Sequence, residues 1–523
     1  MLILTLILII LAGDRTEYFL KPALILTEPV YLLIGLAVSL TAFLFLFFIE
    51  GKKLIDISEK KRGYILIAVL SVLLFSAELI FTFTSFFYSD WDPAGVLDCV
   101  YKLLRGRAGE ISLDYFSAHP NNLMLVYVYL LVLKLSSLFG TESVLSLMLF
   151  QSLLFTLGGV FFFFIVKDLL SVKAAVSAWF LYAVWIGLNP YLIITYSDAA
   201  GLIFPLITIR IFQYLMLNEK QGSMGTVSRS PINAVLCLVM GLSAAAGYMI
   251  KPQTVIALIA VFIMTLLYSV IKKDPAQIGR LIIAAGGFII SFFIISNVIF
   301  PSLKLELDKS KSFSFSHYLM MGLNPETDGV YSNEDTEFTN SIKDPSERRS
   351  ENLRVAAERF NAYGIRGLAG HLKRKQLINF GDGSFSWGID GNFFAGPVLG
   401  DMPEVQADSA LRPFILSFLE TGGSHNDLFK SILQVFWLTV LFFGAAAEII
   451  MIRKMGTGLF EGNPAFFTMT TVLLSLTGLI FFELLFEAKA RYLFTFLPVF
   501  LTAGVYGACS LYRLLRRRLS SSK

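Results

Sequence analysis

Cysteine, net charge and phosphate-binding loops are scarce or missing in this sequence. The 523 residues include three cysteines, Cys99, Cys237 and Cys509, and their wide spacing excludes a disulfide framework and a CxxC metal site. The formal net charge of +4 is too small to indicate a nucleic-acid partner. Because no GxxxxGK[ST] loop is present, nothing indicates a process driven by ATP. We also find no internal repeat of fixed period.

Long apolar runs are what the sequence has instead. Hydrophobic residues make up 55% of the chain and charged residues 16%, and several runs exceed the roughly 18 residues that a helix needs to cross a bilayer. The predicted fold class is therefore an all-α polytopic membrane protein. The opening MLILTLILIILAG has no basic residue before its apolar core, which favours a retained first span over a cleaved signal peptide.

Basic clusters orient the spans, because short cytoplasmic loops carry an excess of Lys and Arg. The cluster at 51–63 therefore lies inside, and the next span runs outward. Residues 121–139 are apolar but short, and they contain Lys134. If they lie along the outer surface as an amphipathic helix, every later basic loop falls inside, whereas a crossing would place those loops outside. We therefore expect both termini in the cytoplasm and twelve spans, at about 1–12, 29–50, 63–88, 143–166, 174–188, 199–215, 232–250, 253–271, 281–300, 431–452, 464–486 and 492–512.

This threading divides the chain into four regions. Residues 1–62 form an N-terminal extension of two spans and a basic loop, and 63–300 form the main transmembrane module with an outer loop at 89–142. Residues 301–430 form a long outer loop, and 431–523 hold three spans and a basic tail. Loops longer than about 15 residues within a compact protein are usually functional or disordered, and the aromatic residues of this one favour order.

Ionisable residues gather at one plane of this arrangement, the outer membrane interface. A charge at the end of a span reaches water cheaply, so a single one is explained as an interfacial anchor. Acids and bases together indicate a site instead. The residues at this plane are Asp90, Asp92, Asp114, His119, Asp198, Lys251, Glu483, Glu487, Lys489 and Arg491.

Four stretches carry a family resemblance. SDWDPAGVLDCVYKLLRG, followed by LDYFSAHPNNLMLVYVYLLVLKLSSLFG, resembles the first outer loop of integral-membrane glycosyltransferases of the GT-C superfamily, in the clan of protein O-mannosyltransferase-like and aminoarabinose-transferase-like enzymes. HYLMMGLNPETDGVYSNEDTEFTNS and FEAKARYLFTFLPVF are also similar to members of this clan. The likeness covers most of the chain from about residue 63, and it implies a GT-C-type bundle with juxtamembrane helices in the first outer loop.

The resemblance also implies an activity. It is the inverting transfer of a hexosyl or pentosyl group from a polyprenyl-phosphate donor to an acceptor hydroxyl at the outer face of the cell membrane. The implied acceptor is a glycan, lipid or protein of the cell envelope, and membrane lipids are the other partners. The resemblance leaves open the sugar, the oligomeric state and whether a divalent cation takes part.

Asp90 matches the acid of the family motif, and we expect it to be the general base. A carboxylate aligned with an acceptor hydroxyl contributes about 10²- to 10⁴-fold to the rate when it takes the proton during attack. Asp92 is the alternative base. Because Pro93 follows it and indicates the start of a helix, we interpret Asp92 first as a helix cap.

Lys251 and Arg491 are the expected contacts of the donor phosphate. The leaving phosphate gains negative charge, which fixed cations in a poorly hydrated site stabilise. Anchoring at the membrane interface is the alternative for both side chains. Asp198 either orients the sugar, helps to hold a cation or is an ordinary loop aspartate. The remaining candidates for substrate or metal contact are Tyr115, His119, Asn121, Asn122, Asp382 and Glu487.

Two other functions compete with this hypothesis. A secondary transporter would also have about twelve spans, but its charges would lie near the bilayer midplane rather than at one face. A glycan transferase similar to O-antigen ligases or polymerases would use Arg and His residues of the long outer loop. Candidates for that use are Arg348, Arg349, His371 and Arg412.

Overall fold

The predicted all-α class is confirmed. A computed structural model describes residues 1–13, 15–51, 60–141, 143–221, 231–387, 409–457 and 463–521, and all regular elements within these ranges are helical. In chain order the helices are α1 (Leu2–Ala12), α2 (Glu28–Gly51), α3 (Lys60–Ser85), α4 (Asp92–Leu104), α5 (Asp114–Ala118), α6 (Asn122–Ser137), α7 (Val144–Leu169), α8 (Val172–Tyr182), α9 (Ser197–Gly201), α10 (Ile203–Gln221), α11 (Pro231–Ile250), α12 (Val255–Lys272), α13 (Ala276–Ile294), α14 (Phe300–Ser302), α15 (Phe315–Gly322), α16 (Asn333–Ser341), α17 (Pro345–Phe380), α18 (Arg412–Leu419), α19 (Asn426–Gly456), α20 (Pro464–Leu485) and α21 (Leu497–Ser521).

Short helical turns of other types join some of these helices. The 3₁₀ turns are Ala108–Glu110, Pro190–Leu192, Pro252–Thr254, Lys309–Lys311 and Ala490–Phe496. Two π-helical turns continue α8 and α13, at Ala183–Gly187 and Ile295–Ile299.

Nine helical segments in the described ranges are long and apolar enough to cross a membrane. They are Gly63–Ser85, Val144–Leu169, Ser197–Asn218, Pro231–Ile250, Pro252–Lys272, Ala276–Ser302, Asn426–Gly456, Pro464–Leu485 and Ala490–Arg518. The other three predicted spans fall on shorter apolar helices, Leu2–Ala12, Glu28–Leu44 and Val172–Gly187. The chain is thus a multi-pass membrane protein, and the count of twelve crossings stays a prediction.

The spans differ in how much of their surface the protein covers. In Ser197–Asn218 and Ala490–Arg518, 72% and 83% of the most apolar window is buried, whereas Gly63–Ser85 and Ala276–Ser302 reach only 22% and 17%. A helix that exposes most of its apolar side chains outside the protein is suited to lipid contact. The first two segments therefore lie at the centre of the bundle and the last two at its periphery.

Two groups of helices accompany the bundle. α4 packs against α6, which packs against α7, so the first outer loop lies on the bundle as two helices joined by the short α5. In the long insert α15 packs against α17, and α17 also contacts α1 and α20. The division of the chain into four regions remains a prediction.

Candidate functional site

Three breaks between helices bring charged residues together. Asp198 follows the irregular stretch before α9, Lys251 lies between α11 and the turn at Pro252, and Arg491 lies in the 3₁₀ turn before α21. Lys251 Nζ is 2.6 Å from Asp198 Oδ1, and Arg491 Nε is 3.8 Å from Asp198 Oδ2. All three residues are buried. We call Asp198, Lys251 and Arg491 the charged trio.

A glutamine supports the irregular chain that leads to the trio. Gln151 of α7 is fully buried, and its Nε2 donates to the carbonyl oxygens of Leu192, at 2.7 Å, and Ile194, at 3.2 Å. The Tyr129 hydroxyl donates to Gln151 Oε1 at 2.8 Å. Buried main-chain carbonyls need such partners. Gln151 therefore helps to fix the segment that positions Asp198.

Two tyrosines face the cations of the trio. Lys251 Nζ lies 4.3 Å from the ring centroid of Tyr492, and the Arg491 guanidinium lies 5.7 Å from the rings of both Tyr196 and Tyr492. Cations above aromatic faces are stabilised by the ring quadrupole, more strongly where water is excluded. Burial lowers the pKa of Lys251, and the Asp198 carboxylate opposes this effect.

Asp92 is connected to the trio through one of these tyrosines. The Tyr196 hydroxyl donates to Asp92 Oδ2 at 2.9 Å, while the Tyr196 ring faces Arg491. The interpretation of Asp92 as a helix cap is wrong. In the described α4 the cap position is Trp91, no side chain makes a capping hydrogen bond, and Asp92 is the first helical residue. Its carboxylate reaches across to Tyr196 rather than back to its own helix.

Asp90 has a different environment. The side chain is half-buried, and its Oδ1 accepts a hydrogen bond from the backbone N–H of Trp91 at 2.7 Å. The contact is local to the loop between α3 and α4. The two acids at the start of the outer loop thus differ in their partners: Asp92 is bonded to a buried tyrosine of the cluster, and Asp90 to its own neighbour.

The candidates around the start of α6 contact one another. Asn122 Nδ2 donates to the Tyr115 hydroxyl at 2.6 Å, and the His119 and Tyr115 rings are 5.2 Å apart. Burial raises the pKa of Tyr115, and the negative charge of Asp92 raises it further. Burial lowers the pKa of His119, whereas Asp92 and Glu487 raise it. Asn121 precedes α6 and makes no side-chain cap there.

Acidic side chains border the trio on the α20 side. Glu487 Oε2 accepts a hydrogen bond from the Tyr492 hydroxyl at 3.0 Å. Glu483 is fully buried, and neither of its carboxylate oxygens has a hydrogen-bond partner among the described residues.

Lys375 was not among the sequence candidates. It is fully buried, and its Nζ donates to the carbonyl oxygens of Gly322, at 2.8 Å, and Phe486, at 2.6 Å. Burial lowers its pKa to about 7, against the opposing charges of Glu483 and Glu487. Lys375 therefore ties the insert to the chain that carries Glu487. Lys375 was missed because it stands in the run LKRKQ, whose charges are typical of a helix face in water. The apolar LINF that directly follows was the signal that this part of the helix is buried.

Asp382 holds an internal turn rather than lying with these residues. It is buried, and its two carboxylate oxygens accept hydrogen bonds from the Ser384 and Ser386 backbone N–H groups, both at 2.8 Å. Burial raises its pKa, and these bonds lower it in part. Trp387 is buried as well and donates to the Leu419 carbonyl at 2.8 Å. The rest of the GDGSFSWGIDGNFF stretch, from residue 388, lies outside the described residues.

The described residues do not fit a metal centre. Among them, no three His, Cys, Asp or Glu side chains converge in a way that could hold a metal ion. Asp198, the acid expected to help, is paired with Lys251 and Arg491.

The cluster combines three chemical capacities. A carboxylate that can accept a proton, two cations that can hold an anion and several tyrosine hydroxyls share one buried region at the ends of spanning helices. Asp92 and Arg491 contact the same tyrosine, so a bound molecule could meet a base and a cation at once. Such an arrangement suits a reaction in which one group loses a proton and another leaves with negative charge.

Comparisons with known proteins give a family and a group of similar structures. A family model described as "Conserved hypothetical integral membrane protein" matches residues 13–508. No protein with a curated description matches the sequence.

The similar structures are of an archaeal enzyme. They include the oligosaccharyltransferase of Archaeoglobus fulgidus in the apo form (TM-score 0.46, 12% identity, 89% of this chain and 53% of that chain) and in complex with Zn and sulfate (0.44, 13%, 87% and 50%). A third is the same archaeal enzyme with an inhibitory peptide and a dolichol-phosphate (0.41, 12%, 89% and 52%). This chain thus spans about half the length of those proteins.

Proposed function

This chain belongs to the family of conserved hypothetical integral membrane proteins, and from that premise we propose that it is a glycosyltransferase that uses a polyprenyl-phosphate-linked sugar donor. One observation carries the proposal. Tyr196 bonds to the carboxylate of Asp92 and lies against the guanidinium of Arg491, which joins a proton acceptor to a cation pair at the ends of membrane helices. The resemblance to GT-C glycosyltransferases supports the same function.

The proposed reaction needs both halves of this cluster. The acceptor hydroxyl gives its proton to an aspartate carboxylate while its oxygen attacks C1 of the sugar. The bond between C1 and the phosphate oxygen breaks, and the electron pair leaves with the polyprenyl phosphate, so the configuration at C1 inverts. Lys251 and Arg491 stabilise the charge that develops on the phosphate, and the planar fork of Arg491 suits two phosphate oxygens.

Asp92 is the better placed of the two acids. A general base must lie within hydrogen-bond reach of the hydroxyl that it deprotonates, and its position must be fixed relative to the leaving group. The bond from Tyr196 fixes Asp92 relative to Arg491, which faces the ring of the same tyrosine. We therefore assign the base to Asp92 and keep Asp90, the acid that matches the family motif, as the alternative that the experiment separates.

The other site candidates have roles as substrate contacts. Asp198 holds Lys251 and Arg491 in place and in reach of the donor phosphate. Tyr115, His119 and Asn122 form one group at the start of α6, where we propose that the acceptor enters. We propose that the site opens on the extracytoplasmic side of the cell membrane and serves a cell-envelope acceptor.

Three of the four residues that the ligase-like alternative would use are engaged in internal bonds, and Arg349 is the one that stays exposed. Arg348 donates to the carbonyl oxygens of Ile342 and Ser310, and Arg412 to those of Thr84 and Phe86. His371 bonds to Gly322 and to the Tyr363 hydroxyl. Side chains engaged in these internal bonds support the insert and its docking. They are not presented for a transferred glycan.

The burial of Glu78 within a span is the observation that favours a transporter. It is fully buried inside the span Gly63–Ser85 and accepts a hydrogen bond from Thr156 at 2.7 Å. Ionisable residues within spans often mark the paths of ions or substrates. Uptake of a free sugar into vesicles, abolished by Glu78→Gln and without any glycosylated product, would support transport in place of transfer.

The test of the proposed function is transfer of radiolabel from synthetic polyprenyl-phosphate hexose and pentose donors into acceptors of membranes that contain the chain. We expect Asp92→Asn to lower transfer by about 10²- to 10⁴-fold, the contribution of a general base. Asp114→Asn is the matched control, because Asp114 lies in the same loop but is exposed and paired with Lys311. Wild-type membranes that transfer no label, or Asp92→Asn and Asp90→Asn variants that both retain full transfer, would contradict the proposal.

A further inference from the structure

Trp91 differs from every other tryptophan of the chain. The sequence has five, all within the described ranges, and four of them are at most 3% exposed. Trp91 is 58% exposed, and it stands between the two acids of the first outer loop. An exposed indole beside a site offers an apolar ring to a partner outside the chain.

The backbone of Trp91 adopts a conformation that bulky residues avoid. Its φ is 68° and its ψ is −138°, in a region that favours glycine. Both main-chain groups are held: the N–H donates to Asp90 Oδ1 at 2.7 Å, and the carbonyl accepts from the Gly95 N–H at 3.0 Å. Strain of this kind persists where the surroundings impose it, and it gathers at functional sites.

The neighbours of Trp91 narrow the class of partner. A pyranose ring has one face of C–H groups, which stacks on an aromatic ring, and an edge of hydroxyls, which donate hydrogen bonds to carboxylates. Trp91 provides an exposed aromatic ring, and Asp90 and Asp92 provide carboxylates on either side of it in the chain. A lipid chain could pack against the ring but has no group that would hydrogen-bond to the two carboxylates.

We propose that Trp91 is a stacking platform for a sugar ring of the substrate at the entrance of the site. The inference rests on the proposed function, because that function makes a sugar the ligand. The sugar ring belongs either to the acceptor or to the donor, and both would present the same chemistry to the indole. Because Trp91 directly precedes Asp92, we expect the stacked ring to lie near that carboxylate.

The test is quenching of tryptophan fluorescence by iodide in the water, which reaches Trp91 because its side chain is exposed. The protein is placed in phospholipid nanodiscs, free of sugar-headed detergents, and iodide quenching of its fluorescence is measured. The two probes are maltotetraose in solution and a polyprenyl-phosphate hexose in the bilayer. We expect one probe to lower the quenching constant at least twofold. Protection by maltotetraose assigns the platform to an acceptor, and protection by the lipid assigns it to the donor.

Two variants separate stacking from a structural role. Trp91→Phe keeps an aromatic ring, so the Michaelis constant in the labelled-sugar assay should stay within a few fold of the wild-type value. Trp91→Gly should raise the Michaelis constant about tenfold, which is close to the contribution of one aromatic contact to binding. Because glycine adopts this φ without strain, Trp91→Gly should not lower the unfolding temperature. A merely structural tryptophan would give the opposite pattern, with lower stability and an unchanged Michaelis constant.

Three results would overturn the platform. One is the absence of protection by both probes. Another is strong quenching of Trp91 by lipids brominated near the headgroup, which would make it a membrane-interface anchor. The third is an unchanged Michaelis constant for Trp91→Gly. Protection of Trp91 without label transfer would leave the platform standing and remove the proposed reaction, so the two proposals fail separately.

Discussion

At the scale of single residues, the pairing of Asp198 with Lys251 is the feature most open to test. Removing one member of a buried pair costs about 3–5 kcal/mol, because the other charge is left unpaired. We expect Lys251→Met to lower the free energy of unfolding by at most that amount, because Arg491 stays beside Asp198. The double variant Asp198→Asn with Lys251→Met should recover part of the loss. Both should fail to transfer sugar. Denaturant unfolding of the purified protein measures the first effect and label transfer the second.

The exposed pair of Lys311 with Asp114 is the matched control for this cycle. Its two charges are 2.7 Å apart, but the side chains are 49% and 82% exposed. Solvent screens such a pair, so Lys311→Met should leave stability unchanged. A double variant no more stable than Lys251→Met would mean that Asp198 and Lys251 do not compensate each other.

Lys375 predicts a dependence of stability on pH. Its folded-state pKa is about 7, below the ordinary 10.5, so between these values the unfolded chain binds the proton and the folded chain does not. Stability should therefore rise with pH across the window from about 7 to 10.5, by a few kcal/mol. Below pH 7 both states are charged, and the cost of burying the ammonium group is paid in full.

The variant Lys375→Met isolates this effect. Methionine cannot titrate, and its loss of the bonds to Gly322 and Phe486 shifts stability by the same amount at every pH. The difference in unfolding free energy between wild type and variant should therefore change across pH 7–10.5. His371, Glu483 and Glu487 also face Lys375, and they are common to both proteins. Parallel curves would show that the Lys375 amine does not lose its proton in this window.

The candidate site was predictable from the sequence to the extent that charge and position suffice. Asp198, Lys251 and Arg491 stand at the ends of apolar runs, and the structure joins all three. The bond that leads us to propose Asp92 over Asp90 was not predictable, because it comes from Tyr196, which is 104 positions away along the chain. The contacts of Lys375 were not predictable for the same reason, since its partners lie on two separate segments.

At the scale of elements, the long helix α17 contains a break at Gly364. Its φ of 56° with ψ of −179° lies in a region that is essentially restricted to glycine. We expect Gly364→Ala to lower the free energy of unfolding by about 1–3 kcal/mol, through backbone strain alone, because an added Cβ would meet open space.

Gly367, one turn further along α17, is the matched control. Its backbone is helical, and an added Cβ would make only ordinary contacts with Tyr363. Gly367→Ala should therefore raise stability by up to about 1 kcal/mol, since alanine loses less backbone freedom on folding. Thermal unfolding of the two variants gives the comparison. Equal effects of the two substitutions would mean that α17 does not need the break.

The packing of α11 on α13 depends on a second glycine. A Cβ at Gly241 would collide with the carbonyl oxygen of Ala284, so the two backbones approach as closely as small residues allow in membrane helices. We expect Gly241→Val to separate the helices and to lower the yield of folded protein sharply. Gly286→Val is the control, since nothing lies within 4 Å of its added Cβ. Size-exclusion profiles in detergent report both, and a normal profile for Gly241→Val would contradict the close packing.

Element boundaries were predictable where composition alone decides them. Nine of the expected spans have long apolar helices in the described ranges, for example Val144–Leu169 for 143–166. The start of α4 at Asp92 was also readable, because Pro93 favours the first turn. Kinks such as Gly364 and π-helical turns such as Ala183–Gly187 were not, since they depend on contacts with other segments.

At the scale of the whole molecule, the placement of α6 decides which face of the membrane holds the site. α6 has 16 residues and packs against α4 and α7, as expected of a helix that lies on the bundle without crossing. If it does not cross, the loop at Lys173 is cytoplasmic and the insert that carries Lys309 is outside. Both side chains are exposed, so cysteine labelling can test this arrangement.

The new cysteines are introduced into a variant in which Cys509, which is partly exposed, is replaced. The buried Cys99 and Cys237 are kept. In intact cells we expect Lys309→Cys to react with a membrane-impermeant maleimide and Lys173→Cys to react only after the membrane is opened. The reverse pattern would turn the site to the cytosol, as it would if α6 were a further span. Labelling of both from outside would require an even number of spans between Lys173 and Lys309, in place of the five that we predict. Because the charged trio and the first outer loop are parts of one packed cluster, these two positions report the side on which Asp92 would meet an acceptor.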